Sequence, residues 1–361
     1  MRYILAVLAF WTSCNLVAGG IVWDSAHPVL VKEGGRYGRI IRLDDHTLLA
    51  GYDFKRAIQA SFSHDEGKTW SPSIQIAASA DGHLTNTEFL LLREGGLLCF
   101  FDFRPRPESG QAFAIRLSRS LDGGKTWSPA DTLYTAGQDF GDGCWEPAAI
   151  QLPDGEVQVY FANESPYRNS NEQEITLLRS TDNGRTWAKP ETVSFRKGSR
   201  DGMPVPVVSR NKAAIAVAIE DNGLSGTFKP VIVSTRLERG GWRDGVVDGA
   251  SDRRWGALAR PLPASMYAGA PYLRQLPDGR FILSFQMSAT GDMNRSRMAV
   301  SLGTDQARDF SDPTFPFPDT TGGAQLWNSL FLKNDRTVTA VSETSLNGIR
   351  GIWTVDGTIA P

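Results

Sequence analysis

Eight residues recur three times in this chain with one grammar. Ser63-His64-Asp65-Glu66-Gly67-Lys68-Thr69-Trp70, Ser120-Leu121-Asp122-Gly123-Gly124-Lys125-Thr126-Trp127 and Ser180-Thr181-Asp182-Asn183-Gly184-Arg185-Thr186-Trp187 all spell S-x-D-x-G-x-T-W, 57 and 60 residues apart. The chemistry of the motif is structural. The Asp can accept from the amides of its own loop, the Gly permits a left-handed turn, and the Trp can wedge its ring between neighbouring sheets. Residues 234–242 and 301–310 are worn copies, the second keeping Asp305 and an aromatic.

A second period runs through the same chain. Residues 141–164 read as strand, turn and strand: Leu152-Pro153-Asp154-Gly155 is a tight turn, and Val157, Val159 and Phe161 alternate as a half-buried strand requires. The pattern recurs at 40–50 around Asp45, 89–101 around Gly95, 205–219 around Lys212, 272–285 around Gly279 and 330–341 around Asp335. Six all-strand units of this length predict an all-β, six-bladed β-propeller of four-stranded blades. Each hairpin supplies the first two strands of a blade, and the S-x-D-x-G-x-T-W motif turns the third into the fourth. The last unit is one strand short, so residues 27–31 are expected to supply it, closing the ring and covering its edges.

Residues 1–19 carry one Arg, an apolar run and a small-residue end, the pattern of a secretory signal peptide. The chain is therefore expected to be secreted or periplasmic, with the propeller at 20–361. A lipoprotein signal through Cys14 is the lesser reading, since Trp11 stands where such signals carry Leu. The apolar run is too short to span a membrane, and no second such run follows. Hydrophobic residues make up 41% of the chain, enough for a large core, and a net charge of -2 offers no basic surface for nucleic acid. Cys99 and Cys144 remain after the leader, and two buried thiols are preferred over a bridge. The four histidines have no ligand spacing, and no phosphate loop or nucleophile elbow appears, so neither metal nor cofactor is expected. A monomer is the expected state.

If both sets of turns lie on one face, first-strand starts and second-strand ends must converge on the other, around the channel. The ends carry Asp53, Asp102, Glu164, Glu220, Gln286 and Glu343; the starts carry Arg39, Glu88, Glu146, Asp201, Tyr267 and Asn328. Trp145-Glu146-Pro147 sets an acid between an aromatic and a proline, where restricted solvation would raise its pKa. Glu220 ends an almost wholly apolar run and is expected to be partly buried, with Asp221 exposed. Two carboxylates across a glycosidic bond make a glycosidase.

The S-x-D-x-G-x-T-W repeats are Asp boxes, and the chain resembles the sialidase superfamily of six-bladed propellers. More narrowly, Gly143-Cys144-Trp145-Glu146-Pro147, Ser199-Arg200-Asp201-Gly202-Met203-Pro204-Val205, Gly269-Ala270-Pro271-Tyr272 with Leu283-Ser284-Phe285-Gln286, and Trp327-Asn328-Ser329-Leu330-Phe331 resemble glycoside hydrolase family 93. The characterised members of that family are exo-acting α-1,5-L-arabinanases that release arabinobiose with retention. The resemblance implies Glu146 as acid/base and Glu220 as nucleophile, with Tyr267 bonded to the nucleophile and Tyr272 competing for that role. Arg39, Asp53, Glu88, Asp102, Trp145, Glu164, Arg200, Asp201, Tyr272, Gln286, Trp327 and Asn328 are the expected contacts to an oligo- or polysaccharide substrate. Two other readings stand beside it. Arg39-Ile40-Ile41 resembles the F-R-I-P segment of exo-α-sialidases, which need further channel arginines, here from Arg200, Arg260, Arg295 or Arg297, to clamp a carboxylate. A non-catalytic glycan-binding propeller would need aromatic platforms but no paired acids.

Overall fold

The structure, a computed structural model, describes residues 20–239, 241–319 and 323–360, so the expected leader lies outside the described residues. Six antiparallel sheets follow one another in the chain. The first and second strands of the blades are, in order, Arg36–Asp44 with Thr47–Phe54, Gly82–Leu91 with Leu97–Pro105, Cys144–Gln151 with Val157–Asn163, Asp201–Val208 with Ala214–Asp221, Tyr267–Gln275 with Phe281–Ser288, and Leu326–Leu332 with Thr337–Leu346. All six hairpin turns fall where the sequence places them. Second strands are sandwiched between neighbouring blades, and Val157–Asn163 is buried at every position. A cavity of about 320 Å³, lined by first-strand residues of blades 2 to 5, marks the central channel.

The ring closes as expected but with a split strand. Ile349–Ile359 is the third strand of blade 6, and it pairs with both Val29–Glu33 and Ile21–Trp23. The expected single strand at 27–31 is thus two pieces. Between them the backbone turns, His27 Nδ1 lying 2.7 Å from Asp24 Oδ1, and Pro28 has no amide to offer a ladder.

The Asp boxes are closed on themselves. Ser63 Oγ accepts the Gly67 amide at 2.9 Å and donates to Asp65 Oδ1 at 2.8 Å. Asp65 in turn takes the Thr69 amide at 2.9 Å and its hydroxyl at 2.6 Å. Asp122 and Asp182 repeat the pattern. Trp187 meets Phe100 of the preceding blade edge-on, with ring centres 6.1 Å apart, and packs with Leu98, Val157 and Val159. The box is a wedge between blades. In a worn copy, Trp242 performs the same task, its indole N–H donating to Tyr160 of the preceding blade at 2.7 Å. Cys99 and Cys144 are buried free thiols.

The first strands share a bulge. In every blade the pairing slips after Arg36, Thr85, Trp145, Gly202, Gly269 and Leu326. The next residue then takes a left-handed conformation: Tyr37 (φ 52), Asn86 (φ 57), Glu146 (φ 60), Met203 (φ 51), Ala270 (φ 47) and Trp327 (φ 52). Such a bulge re-aims a side chain and its amide. It costs a non-glycine residue roughly 1–2 kcal/mol, so six in a ring are a standing strain at one face of the molecule.

Candidate active site

The bulges decide which groups meet at the mouth of the channel. Glu146 is itself a bulge residue. Its amide donates to Asp102 Oδ1 of blade 2 at 2.8 Å, and its own Oε2 accepts the amide of Met203, the bulge residue of blade 4, at 3.1 Å. Glu220 Oε2 accepts the amide of Ala270, the bulge residue of blade 5, at 2.7 Å. A Cβ at Gly202 would lie 3.1 Å from Glu220 Oε1, while the adjacent Met203 amide holds Glu146. The two carboxylates therefore border the same dipeptide, no more than about 10 Å apart by bond-length arithmetic. That limit spans the separations at which carboxylate pairs act on a glycosidic bond, ~5–9.5 Å. Gly269 is required beside them, since a side chain there would strike both Glu220 and the Tyr267 hydroxyl. Tyr267, not Tyr272, is the tyrosine beside Glu220.

Burial sets the proton balance. It pushes Glu220 up to about 8, helped by the nearby Glu146 and opposed by the Ala270 amide. It pushes Glu146 up to about 7 against Arg104 and the Met203 amide. Asp102, wholly buried behind Glu146, is raised to about 8 by the same desolvation, with Arg104 opposing. Near neutrality the pair holds about one proton, as acid–base work on a glycoside requires. Burial and Glu220 together keep the Tyr267 hydroxyl protonated.

Trp145 Nε1 donates to Glu164 at 2.9 Å, and Glu164 is also paired with Arg200, whose other arm reaches Asn171 at 2.8 Å. Gln286 Oε1 takes the Trp327 amide at 2.6 Å. The Trp327 ring is half-buried and stacked on Tyr37, centres 4.5 Å apart. Asp53 takes the Thr85 hydroxyl at the junction of blades 1 and 2. These residues form the mouth and its rim.

Five expected contacts lie elsewhere. Arg39 and Glu88 pair at 3.3 Å one layer deeper in the channel, beyond the bulge; Arg39 is further used by the carbonyls of Gly38 and Trp327. Tyr272 joins them, bonded to Glu88 and Arg274. Asp201 is turned inward, its carboxylate taken by Arg254 and by Ser194 at 2.6 Å. Asp221, expected to be exposed, is wholly buried on the same Arg254 and on Arg196 at 3.0 Å. A buried carboxylate needs such a partner, and position at a strand end does not reveal it. Asn328 is also buried, with Nδ2 against the Gln325 carbonyl.

Sequence reading missed Tyr37 and Arg104. Arg104 Nη2 bonds Asn86 at 3.1 Å and Asp102 at 3.3 Å, its guanidinium lying 4.9 Å from the centre of the Trp145 ring. Tyr37, 2% exposed, faces Arg104, Glu146 and Asp102. Tyr37 is the second residue of its strand and Arg104 the last but one, yet the left-handed position that brings Tyr37 in is not a glycine. Among the described residues no His, Cys, Asp or Glu cluster has the arrangement of a metal site, and no helix is long and apolar enough to cross a membrane.

A ring of six four-stranded blades wedged by Asp boxes, with an acidic mouth built from strained bulges, defines an Asp-box six-bladed β-propeller. The chain belongs to the family of BNR repeat-like domains, whose pattern matches residues 95–344. Solved structures agree on the fold. An α-L-arabinofuranosidase of Fusarium graminearum, bound to an iminosugar inhibitor, is 17% identical with a TM-score of 0.69, the match covering 92% of this chain and 97% of that one. An α-L-arabinanase of Penicillium chrysogenum complexed with arabinobiose is 16% identical at 0.68, covering 92% and 98%. A sialidase of Streptococcus pneumoniae is 12% identical at 0.62, covering 90% and 68%. No curated protein sequence matches significantly.

Proposed function

We propose that this chain is a glycoside hydrolase, exo-acting on α-1,5-linked L-arabinan through Glu146 and Glu220, and exported by the leader at 1–19. The observation that carries the reading is the carboxylate pair itself: two half-buried glutamates bordering Gly202-Met203, with raised pKa values, on the one face where all six blades converge. One protonated carboxyl donates to the glycosidic oxygen as the C–O bond breaks. The other, ionised, attacks the anomeric carbon, and water then displaces it with the first carboxylate as base. The Trp327 face and the Tyr267 hydroxyl suit a neutral furanose, one by stacking and the other by hydrogen bonding.

The sialidase alternative lacks its clamp. Arg39 is consumed by Glu88 and two carbonyls, Arg200 by Glu164, and Arg297 is paired with Asp319 at 3.5 Å, while Arg260 and Arg295 are exposed. Carboxylates outnumber free cations at the mouth, which disfavours an anionic sugar.

Role order follows the family resemblance, with Glu146 as acid/base and Glu220 as nucleophile. Arg104 favours the charge on Glu146, which argues for the reverse order. Purified chain is assayed on linear α-1,5-arabinan and on a sialoside, with Glu146→Ala and Glu220→Ala proteins rescued by azide. Arabinobiose from the wild type, and an inverted glycosyl azide from Glu220→Ala, are expected. An inverted azide from Glu146→Ala would exchange the roles, and free sialic acid from the sialoside would replace the reading.

A further inference from the structure

The acid pair occupies the one junction at which the six-fold pattern is broken. Across the first hairpin of each blade, the residue before the bulge faces a fixed partner on the second strand. These partners are Asp53 opposite Arg36, Asp102 opposite Thr85, Glu220 opposite Gly202, Gln286 opposite Gly269 and Glu343 opposite Leu326. All five are polar, and all five reach to the first strand of the following blade. Asp102, Glu220 and Gln286 take the next bulge amide at 2.8, 2.7 and 2.6 Å. Asp53 takes the Thr85 hydroxyl, and Glu343 lies 3.7 Å from Arg36 Nε. In blade 3 the partner opposite Trp145 is Ala162, wholly buried and with nothing to offer. Glu164, expected at this ring position, stands two residues beyond it.

The bulge amide that blade 3 should serve is that of Met203, and a buried residue's amide needs an acceptor. Glu146 provides it, from its own bulge rather than from the second strand. We propose that Ala162 is the positioning residue of the site: by leaving an acceptor position vacant, it lets the Glu146 carboxylate cross to the Met203 amide and face Glu220. Its catalytic meaning rests on the glycosidase reading, but its structural content does not.

A double-mutant cycle tests the two separately. Ala162→Gln supplies a neutral acceptor of the kind Gln286 provides in blade 5. In the wild-type background it competes with Glu146, so Tm falls and kcat on the cleaved glycoside drops at least about 100-fold. The pH limb belonging to Glu146 moves upward, because the amide that favours its anion is lost. In a Glu146→Ala background, where the Met203 amide has no acceptor, the same substitution raises Tm by roughly 3 °C. This reversal of sign is the expected result, and packing strain alone would not produce it. An equal fall in Tm in both backgrounds, or a wild-type pH profile in Ala162→Gln, would overturn the proposal. Should Ala162→Gln fail to fold alone, the double variant decides: a Tm above that of Glu146→Ala supports the proposal, and failure to fold ends it. The Tm arm needs no substrate, so a chain that cleaves no glycoside refutes the activity without touching this inference.

Discussion

The two faces of the propeller treat carboxylates in opposite ways. On the turn face, Asp65 is held down at about 2 by the Thr69 hydroxyl and amide and by Ser63, and Asp122 and Asp182 are likewise held below the usual range. On the mouth face, burial raises Asp102, Glu146 and Glu220 to between about 7 and 8. One fold supplies both environments, because a loop closing on its own Asp leaves solvent and donors around it. Strand ends converging on a channel exclude solvent and crowd like charges instead. The first arrangement stabilises a charge; the second destabilises it.

The largest effect expected is at the mouth. Glu146→Gln and Glu220→Gln should each lower kcat by about 10³-fold or more while the fold persists, read by turnover and circular dichroism. Residual activity within tenfold of wild type would remove the pair from the mechanism. Next comes Asp102, where two substitutions should part. Asp102→Asn mimics the protonated acid and should change kcat less than about threefold below pH 7. Asp102→Ala orphans the Glu146 amide and should cost about 10–100-fold. Equal losses would mean that the charge, and not the acceptor, matters.

The stability of the two faces should respond to pH with opposite sign. Folding raises the mouth carboxylates, so between the ordinary carboxylate range and about 8 the folded chain holds more protons than the unfolded one, and stability falls as pH rises through that window. Tm should decline from pH 5 to pH 8, and Glu146→Gln or Glu220→Gln should flatten the decline. The boxes work the other way. Their stabilisation is fully present above the ordinary carboxylate range and is lost as pH falls through about 2 for Asp65. Asp122→Asn should therefore lower Tm at pH 7, yet leave both the kcat profile and the pH 5 to 8 slope unchanged. It is the smallest of these effects and the cleanest separation of the two faces.

This contrast also explains what could be read from the sequence. The turn face was legible because its devices are local: Asp, Gly, Thr and Trp within eight residues, and Pro-Asp-Gly in the hairpins, each dictate a conformation where they stand. Glu146 and Glu220 were marked by their positions, one between Trp145 and Pro147 at a first-strand start and the other at the end of an apolar run. The bulges were not, because left-handed positions are announced by Gly or Asn, and only Asn86 among the six obeys. Tyr37 entered the mouth unannounced for that reason. Asp201 and Asp221 were misplaced for a different one: they face each other across the hairpin, and the Arg254 that draws both inward lies far along the chain. Ala162 carries no chemistry of its own, and its significance exists only by comparison with five other blades.

The split closing strand sets the order in which this chain can become a protein. Ile21–Trp23 leaves the ribosome among the first described residues, yet its partners at 357–359 leave among the last. Blades 1 to 5 can each pair locally as they emerge, whereas blade 6 must wait for a contact spanning almost the whole polypeptide, the kind that slows folding most. During synthesis the early segments at 21–33 therefore have no ladder to join. The chain passes through that interval without a closed ring, and the last pairing formed is the one that locks all the others.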